Sequence, residues 1–275
     1  MTIAKKISIE SGFTHKYTFT ILFKETNADQ NYNQGKEFNG VLGIEEYKAP
    51  DFATDSWSTI IANVKAGYGS EYKVGSTKEV DLGTTYGTHT LRIANTSTPS
   101  ECSTAGFSQT ACGFVLEFAD IITTHNMNSS STNVGGWPAT SMRTFVNNDI
   151  YNALPSEIKN AIIDTTVVSG HGPNDTENFT STDKLYLLAP REIWYYASDT
   201  AYDLTRQLDY YKNLGVSDGA NSEAIKKNGT SASYWWLRAA DSNNSDTFSV
   251  ASTYGVLGIG STDTMNGVSP AFRIG

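Results

Sequence analysis

Tyr234-Trp235-Trp236-Leu237-Arg238, answered downstream by Gly267-Val268-Ser269-Pro270-Ala271-Phe272-Arg273-Ile274, is the pair of segments on which the reading of this chain turns. Two adjacent large aromatics followed by an aliphatic and an arginine predict a strand buried on both faces. The closing segment sets β-branched and aromatic residues around one proline, which predicts a last strand entered through a kink. Between the two, residues 241–266 are mostly Ser, Thr, Asn, Asp, Gly and small apolar residues. A polar insert held between apolar clamps is how a rigid scaffold presents a surface.

The remaining sequence sets bounds on that reading. At 275 residues, with 23 glycines, 12% aromatic and 18% charged residues, the chain is turn-rich and long enough for a sizeable core. A formal charge of −9, with cations paired at most as Lys5-Lys6 and Lys226-Lys227, argues against a nucleic-acid or anionic-membrane partner. No apolar run is long enough to cross a bilayer, and the N-terminal residues lack the apolar core of a secretory signal. Cys102 and Cys112 are spaced to close a disulfide across a turn; free buried thiols are the equal alternative.

Along the chain, alternation at Ile7, Ile9, Tyr17, Phe19, Ile21 and Phe23 predicts two strands, within a small β-rich attachment segment at 1–50. Residues 51–275 are expected to form one α+β domain. A helix is predicted over 55–66, with Asp55 or Ser56 as its cap and Trp57, Ile60, Ile61 and Val64 on its apolar face. Short strands follow at 72–75, 79–83, 89–94 and 113–118. Helices are expected after Trp137 and at 155–163, then strands at 164–168 and 184–188 with a polar loop between them.

Six ordered pieces carry a resemblance: His89-Thr-Leu-Arg-Ile-Ala-Asn95, Gly113-Phe-Val-Leu-Glu-Phe118, Trp137-Pro-Ala-Thr-Ser-Met-Arg143 with Asn147-Asn148, Asp183-Lys-Leu-Tyr-Leu-Leu188, and the two clamps quoted above. From about residue 56 onward the chain resembles an uncharacterised domain family of gut bacteria and their phages. Its members end in a Trp-Leu-Arg-Ser … Gly-Val-(Arg/Ser)-Pro-Ala-Phe signature, from which Arg238-Ala239 departs. That family looks like a branch of the C-type lectin-like fold in the version used by formylglycine-generating enzymes and by retroelement-diversified variable proteins. The resemblance implies that residues 241–266 are the display surface. It says nothing about the first 50 residues.

Chemistry elsewhere is sparse. His15, His89, His125 and His171 show no metal-ligand spacing, and no Gly-x-Ser-x-Gly elbow or phosphate-binding glycine loop is present. No cysteine follows Cys112, so the redox pair of the enzymatic relatives is missing. Asp241-Ser242-Asn243-Asn244-Ser245-Asp246 offers oxygens that suit calcium, but Thr247 stands where a calcium loop has glycine and no Glu closes it. A solvated loop without cofactor is therefore the reading, with calcium as the alternative. Adjacent Trp235 and Trp236 must point to opposite faces of a strand. One belongs to the core; the other, Trp236 in the expected binding set, packs there too, supports the display surface or stacks on a ligand sugar, core packing being favoured.

Phe248 and Val250 are expected to face inward and their neighbours outward. The expected ligand-binding set is Asp241, Asn243, Asn244, Ser245, Asp246, Ser249, Ser252, Thr253, Tyr254, Leu257, Ile259, Ser261, Asp263 and Trp236. Apolar Leu257 and Ile259 among polar neighbours mark an interaction site. The functional expectation is a non-enzymatic recognition or adhesion protein of a virion or cell surface that meets a host protein or glycan receptor. Residues 1–50 would tether it to other particle proteins, in a homotrimer by analogy with such adhesins. The alternatives are an architectural particle protein and an enzyme centred on His171.

Overall fold

A computed structural model describes residues 49–195 and 204–275. The strands expected at residues 7–23 lie outside them, as does the attachment segment but for its last two residues. The first described helix, Trp57–Lys65, starts where the sequence placed it: Ser56 Oγ accepts from Thr59 N at 3.2 Å, and Trp57 and Ile60 are buried. Beyond it the strands run β1 (Thr77–Asp81), β2 (Thr88–Asn95), β3 (Val115–Phe118), β4 (Thr123–His125), β5 (Thr165–Ser169), β6 (Phe179–Asp183) and β7 (Leu185–Tyr186). The C-terminal set is β8 (Lys226–Asn228), β9 (Ser231–Ser233), β10 (Trp235–Ala240), β11 (Thr247–Ala251), β12 (Leu257–Ser261), β13 (Asn266–Val268) and β14 (Ala271–Arg273). The architecture is α+β, mostly sheet with short helices.

Two five-stranded sheets organise it. One has the order β1-β2-β3-β14-β7 and the other β12-β11-β10-β13-β4; β5–β6 and β8–β9 are separate hairpins. Neighbours are antiparallel except β10 and β13, which pair in parallel. The closing segment is not the single kinked strand expected. Its first half enters one sheet as β13 and its second half enters the other as β14, with Ser269 and Pro270 forming the crossing. Proline lacks an N–H to give a ladder, so it suits the gap between sheets.

Other expectations shift as well. Residues 72–75 hold no strand, because the ladder with β2 begins at Thr77. The helix expected over 155–163 is one turn, Ser156–Lys159, and part of the loop expected before residue 183 is strand β6. Cys102 and Cys112 are joined by a disulfide, which decides between the two alternatives for them. Among the described residues no helix is long and apolar enough to cross a membrane.

β10 is buried along its whole length, with Trp235, Trp236 and Arg238 each at 0% exposure. Trp235 Nε1 donates to Ala224 O and Trp236 Nε1 to His125 O, so both indoles are satisfied inside the protein. Arg238 meets Glu192 in a two-pronged pair, with both nitrogens 2.7 Å from carboxylate oxygens, and donates to Val168 O and Leu187 O. A second buried group centres on Glu117 of β3. It accepts from Arg92 of β2, from Lys226 of β8 at 2.8 Å and from the Tyr211 hydroxyl at 2.9 Å.

Candidate functional site

The connection between β10 and β11 is built by its own polar side chains. Asp241 Oδ1 accepts from Asn243 N (2.8 Å), Asn244 N (2.7 Å) and Asn244 Nδ2 (3.1 Å), folding residues 241–244 into a tight turn. Beneath that turn lies Asn133, fully buried. Its backbone N donates to Ser245 O at 2.8 Å, while Nδ2 lies within reach of Asn244 O (2.8 Å), Thr247 O (3.1 Å) and Asp241 O (3.2 Å). The space is tight: a Cβ on Gly172 would fall 2.3 Å from Asn133 Oδ1, so residue 172 must be glycine. The backbone is held from below while Asn243, Asn244, Ser245 and Asp246 project outward.

Two further loops join this one. Thr262 N donates to Asp246 O, Thr262 Oγ1 donates to Ser130 O, and Asn128 N donates to Thr262 O. Asp263 accepts from Ser261 Oγ at 2.7 Å and from Ser131 Oγ at 3.1 Å. Those two hydroxyls, Ser261 first, hold its carboxyl below the usual aspartate range, so it is an anchored anion at the surface. At the other end of β12 the turn is fixed by Ser252, whose Oγ accepts from Tyr254 N and Val256 N. Gly255, at φ 67°, sits so close to Asn221 O that a Cβ would be 1.8 Å away. Tyr254 is left 74% exposed, with Ile259 at 52% and Met265 at 61%.

The expected site residues therefore divide. Asn243, Asn244, Ser245, Asp246, Tyr254, Ile259 and Asp263 are exposed; Thr253, Leu257 and Ser261 are half-buried. Four expectations are corrected. Asp241 is buried because its carboxylate organises the turn, and Ser252 because it does the same for the next one. Ser249 is buried because β11 lies inside its sheet with both faces covered, so the residues beside Phe248 and Val250 do not simply face outward. Trp236 is core, lying under Gly260, where a Cβ would come within 3.0 Å of its ring.

Asn133, Gly172 and Ser131 were missed by the sequence reading. They lie in loops without periodicity; only the fold brings Asn133, with Gly172 against it, beneath residues 241–247, and Ser131 beside Asp263. An Asn133→Ala protein is expected to lose about 2–3 kcal/mol of stability, because one buried and two part-buried carbonyls lose their donor. Amide exchange at residues 243–247 should speed up in proportion; unchanged exchange would remove Asn133 from this role.

Two shallow grooves lie away from this surface. One, of about 310 Å³, is lined among others by Arg143, Asn147, Asp183 and Lys184. Its cations are already paired, Arg143 with Asp183 at 2.6 Å and Lys184 with Asp164 at 2.9 Å. The other, of about 570 Å³, runs between residues 82–86 and Asn148, Asp149, Asn152 and Ala153. Neither contains a residue of the expected set. His171 is half-buried, and its Nδ1 lies 2.8 Å from Gly172 O, an oxygen that only accepts, so Nδ1 carries the proton. Among the described residues no three His, Cys, Asp or Glu side chains gather as a metal-ligand group.

Comparison with known proteins gives one finding. A family model described as a domain of unknown function (DUF6273) matches residues 114–275, which include β3 to β14 and every exposed residue of the surface described above. No curated protein matches, and no solved structure matches.

Proposed function

The chain belongs to the DUF6273 family, and from the surface that its C-terminal half presents we propose that it is a non-enzymatic recognition protein. In this reading the turn at 241–246, the tip at Tyr254 and the anchored Asp263 meet another macromolecule, a surface protein or a glycan. The observation that carries the reading is the pinning by Asn133. A loop whose backbone is fixed from beneath presents its side chains at little entropic cost on binding, and tolerates changes in their identity. The same proposal assigns the α+β scaffold to the C-type lectin-like group. What supports this is that the two apolar clamps become core strands while the insert between them reaches the surface. It also places the protein on a virion or cell surface, where trimeric display would compensate for weak single sites.

The test is a combined glycan and protein array probed with the purified chain. Asn243→Ala, Asn244→Ala, Asp246→Ala and Tyr254→Ala, with melting temperatures unchanged, are expected to weaken the strongest interaction, at least one of them by about tenfold or more. Indifference to all four would sink the proposal. So would a turnover reaction that disappears with His171→Ala, which would assign the protein to an enzyme class instead.

A further inference from the structure

Every open sheet has edges, and proteins blunt them with charge, proline or extreme shortness. Three of the four outer strands here follow that rule. β1 carries Lys78, Glu79 and Asp81, while β4 and β7 have three and two residues. β12 does not. Leu257-Gly258-Ile259-Gly260-Ser261 is five residues long with no charge and no proline, and among the described residues no strand pairs with its outer side.

The direction of its hydrogen bonds follows from its register. Ser252 N donates to Val256 O at one end and Thr262 N to Asp246 O at the other. Antiparallel ladders alternate, so with Phe248 opposite Gly260 and Val250 opposite Gly258, those glycines bond inward to β11. The N–H and C=O groups of Leu257 and Ile259 therefore point away from the sheet. Gly260 has a packing reason as well: a Cβ there would press within 3.0 Å of Trp236 and Val250. The side chains of Leu257 and Ile259 lie on the opposite face, half-buried and 52% exposed. Beyond Ser261 that face ends at Asp263, whose carboxylate accepts from the Ser261 hydroxyl.

We propose that the outer edge of β12 takes up an extended peptide segment of another protein as an additional antiparallel strand. The partner residues opposite Leu257 and Ile259 are apolar, and a lysine or arginine on their N-terminal side meets Asp263. Four outward backbone groups give affinity, the two aliphatic side chains give register, and the anion gives direction. The net charge of −9 makes a cationic segment a better occupant than a second copy of this chain. This rests on the recognition reading above and names the partner class for one part of that surface.

The probe is the peptide Gly-Gly-Arg-Ser-Ile-Thr-Val-Thr-amide with fluorescein on its N-terminal amine, followed by fluorescence anisotropy against the full chain. Methylating the backbone nitrogens of its Ile and Val is expected to weaken binding by about tenfold or more, since two ladder donors disappear. Ile259→Pro removes an outward N–H that no described residue accepts, so binding should vanish while melting is nearly unchanged; Ile259→Lys is the second variant if proline perturbs folding. Asp263→Asn should weaken binding severalfold and flatten its salt dependence. Equal affinity for the methylated peptide, or no binding at about 1 mM protein, would overturn the proposal. So would a dimer seen by light scattering that Ile259→Pro abolishes, because the edge would then serve a second copy. Array binding that is lost in Asn243→Ala but kept in Ile259→Pro defeats this inference alone and leaves the recognition reading standing.

Discussion

A Glu117→Ala protein is expected to lose about 3–5 kcal/mol of unfolding free energy in urea titrations, enough to unfold many domains of this size at 37 °C. The carboxylate is fully buried between three donors: Arg92 at 2.9 Å, Lys226 at 2.8 Å and the Tyr211 hydroxyl at 2.9 Å. Burial alone would push Glu117 up, but Arg92 and Lys226 more than offset it, so it sits below the ordinary carboxylate value. Alanine leaves two cations without their shared anion. A loss under about 1 kcal/mol would show that the pair is not held as described.

A pH arm follows from Lys226. Burial pushes its ammonium down to about 8, with Glu117 opposing that shift. Free lysine keeps its proton to about 10.4, so between those values the folded chain binds fewer protons than the unfolded one. The penalty of burying the charge is therefore full below pH 8 and is relieved as pH rises through that window. Relative to a Lys226→Met protein, the parent should gain stability by about 3 kcal/mol across it. A flat difference would rule the titration out.

Arg238→Ala should be comparably costly, about 3–5 kcal/mol. Glu192 would keep a buried carboxylate with its main counter-charge gone, and Val168 O and Leu187 O would each lose a donor. Arg238→Lys is not expected to rescue it, since one ammonium cannot reproduce a guanidinium that reaches both carboxylate oxygens, two carbonyls and Thr110 Oγ1. The informative variant is the double change Arg238→Met with Glu192→Leu. Replacing both charges by apolar groups of similar volume removes the desolvation cost along with the attraction, so the double mutant should recover most of the loss. If it is as unstable as Arg238→Ala, the backbone carbonyls and not the ion pair dominate.

What the sequence revealed and what it hid have separate physical causes. The burial of Trp235 and Leu237, the Ser56 cap and the exposure of Asn243, Asn244 and Asp246 were legible because each follows from local pattern or composition. The division of residues 266–273 between two sheets was not, because a kink at Pro270 reads the same whether the strand bends or changes sheets. Asp241, Ser249 and Ser252 looked like ligand contacts because polar residues in a polar stretch give no sign of which ones turn inward to hold the backbone. Asn133 was invisible for the complementary reason: its partners are more than a hundred residues away.

The crossing at Ser269 and Pro270 also bears on how the molecule comes into being. β13 sits between β10 and β4, and β14 between β3 and β7, so two three-residue strands made late and close together occupy interior positions, one in each sheet. During synthesis, strands made long before must wait with their inner margins bare until those residues clear the ribosome. Translation that halts before residue 266 would leave two half-zipped sheets in one nascent chain, a species with much to gain from a chaperone.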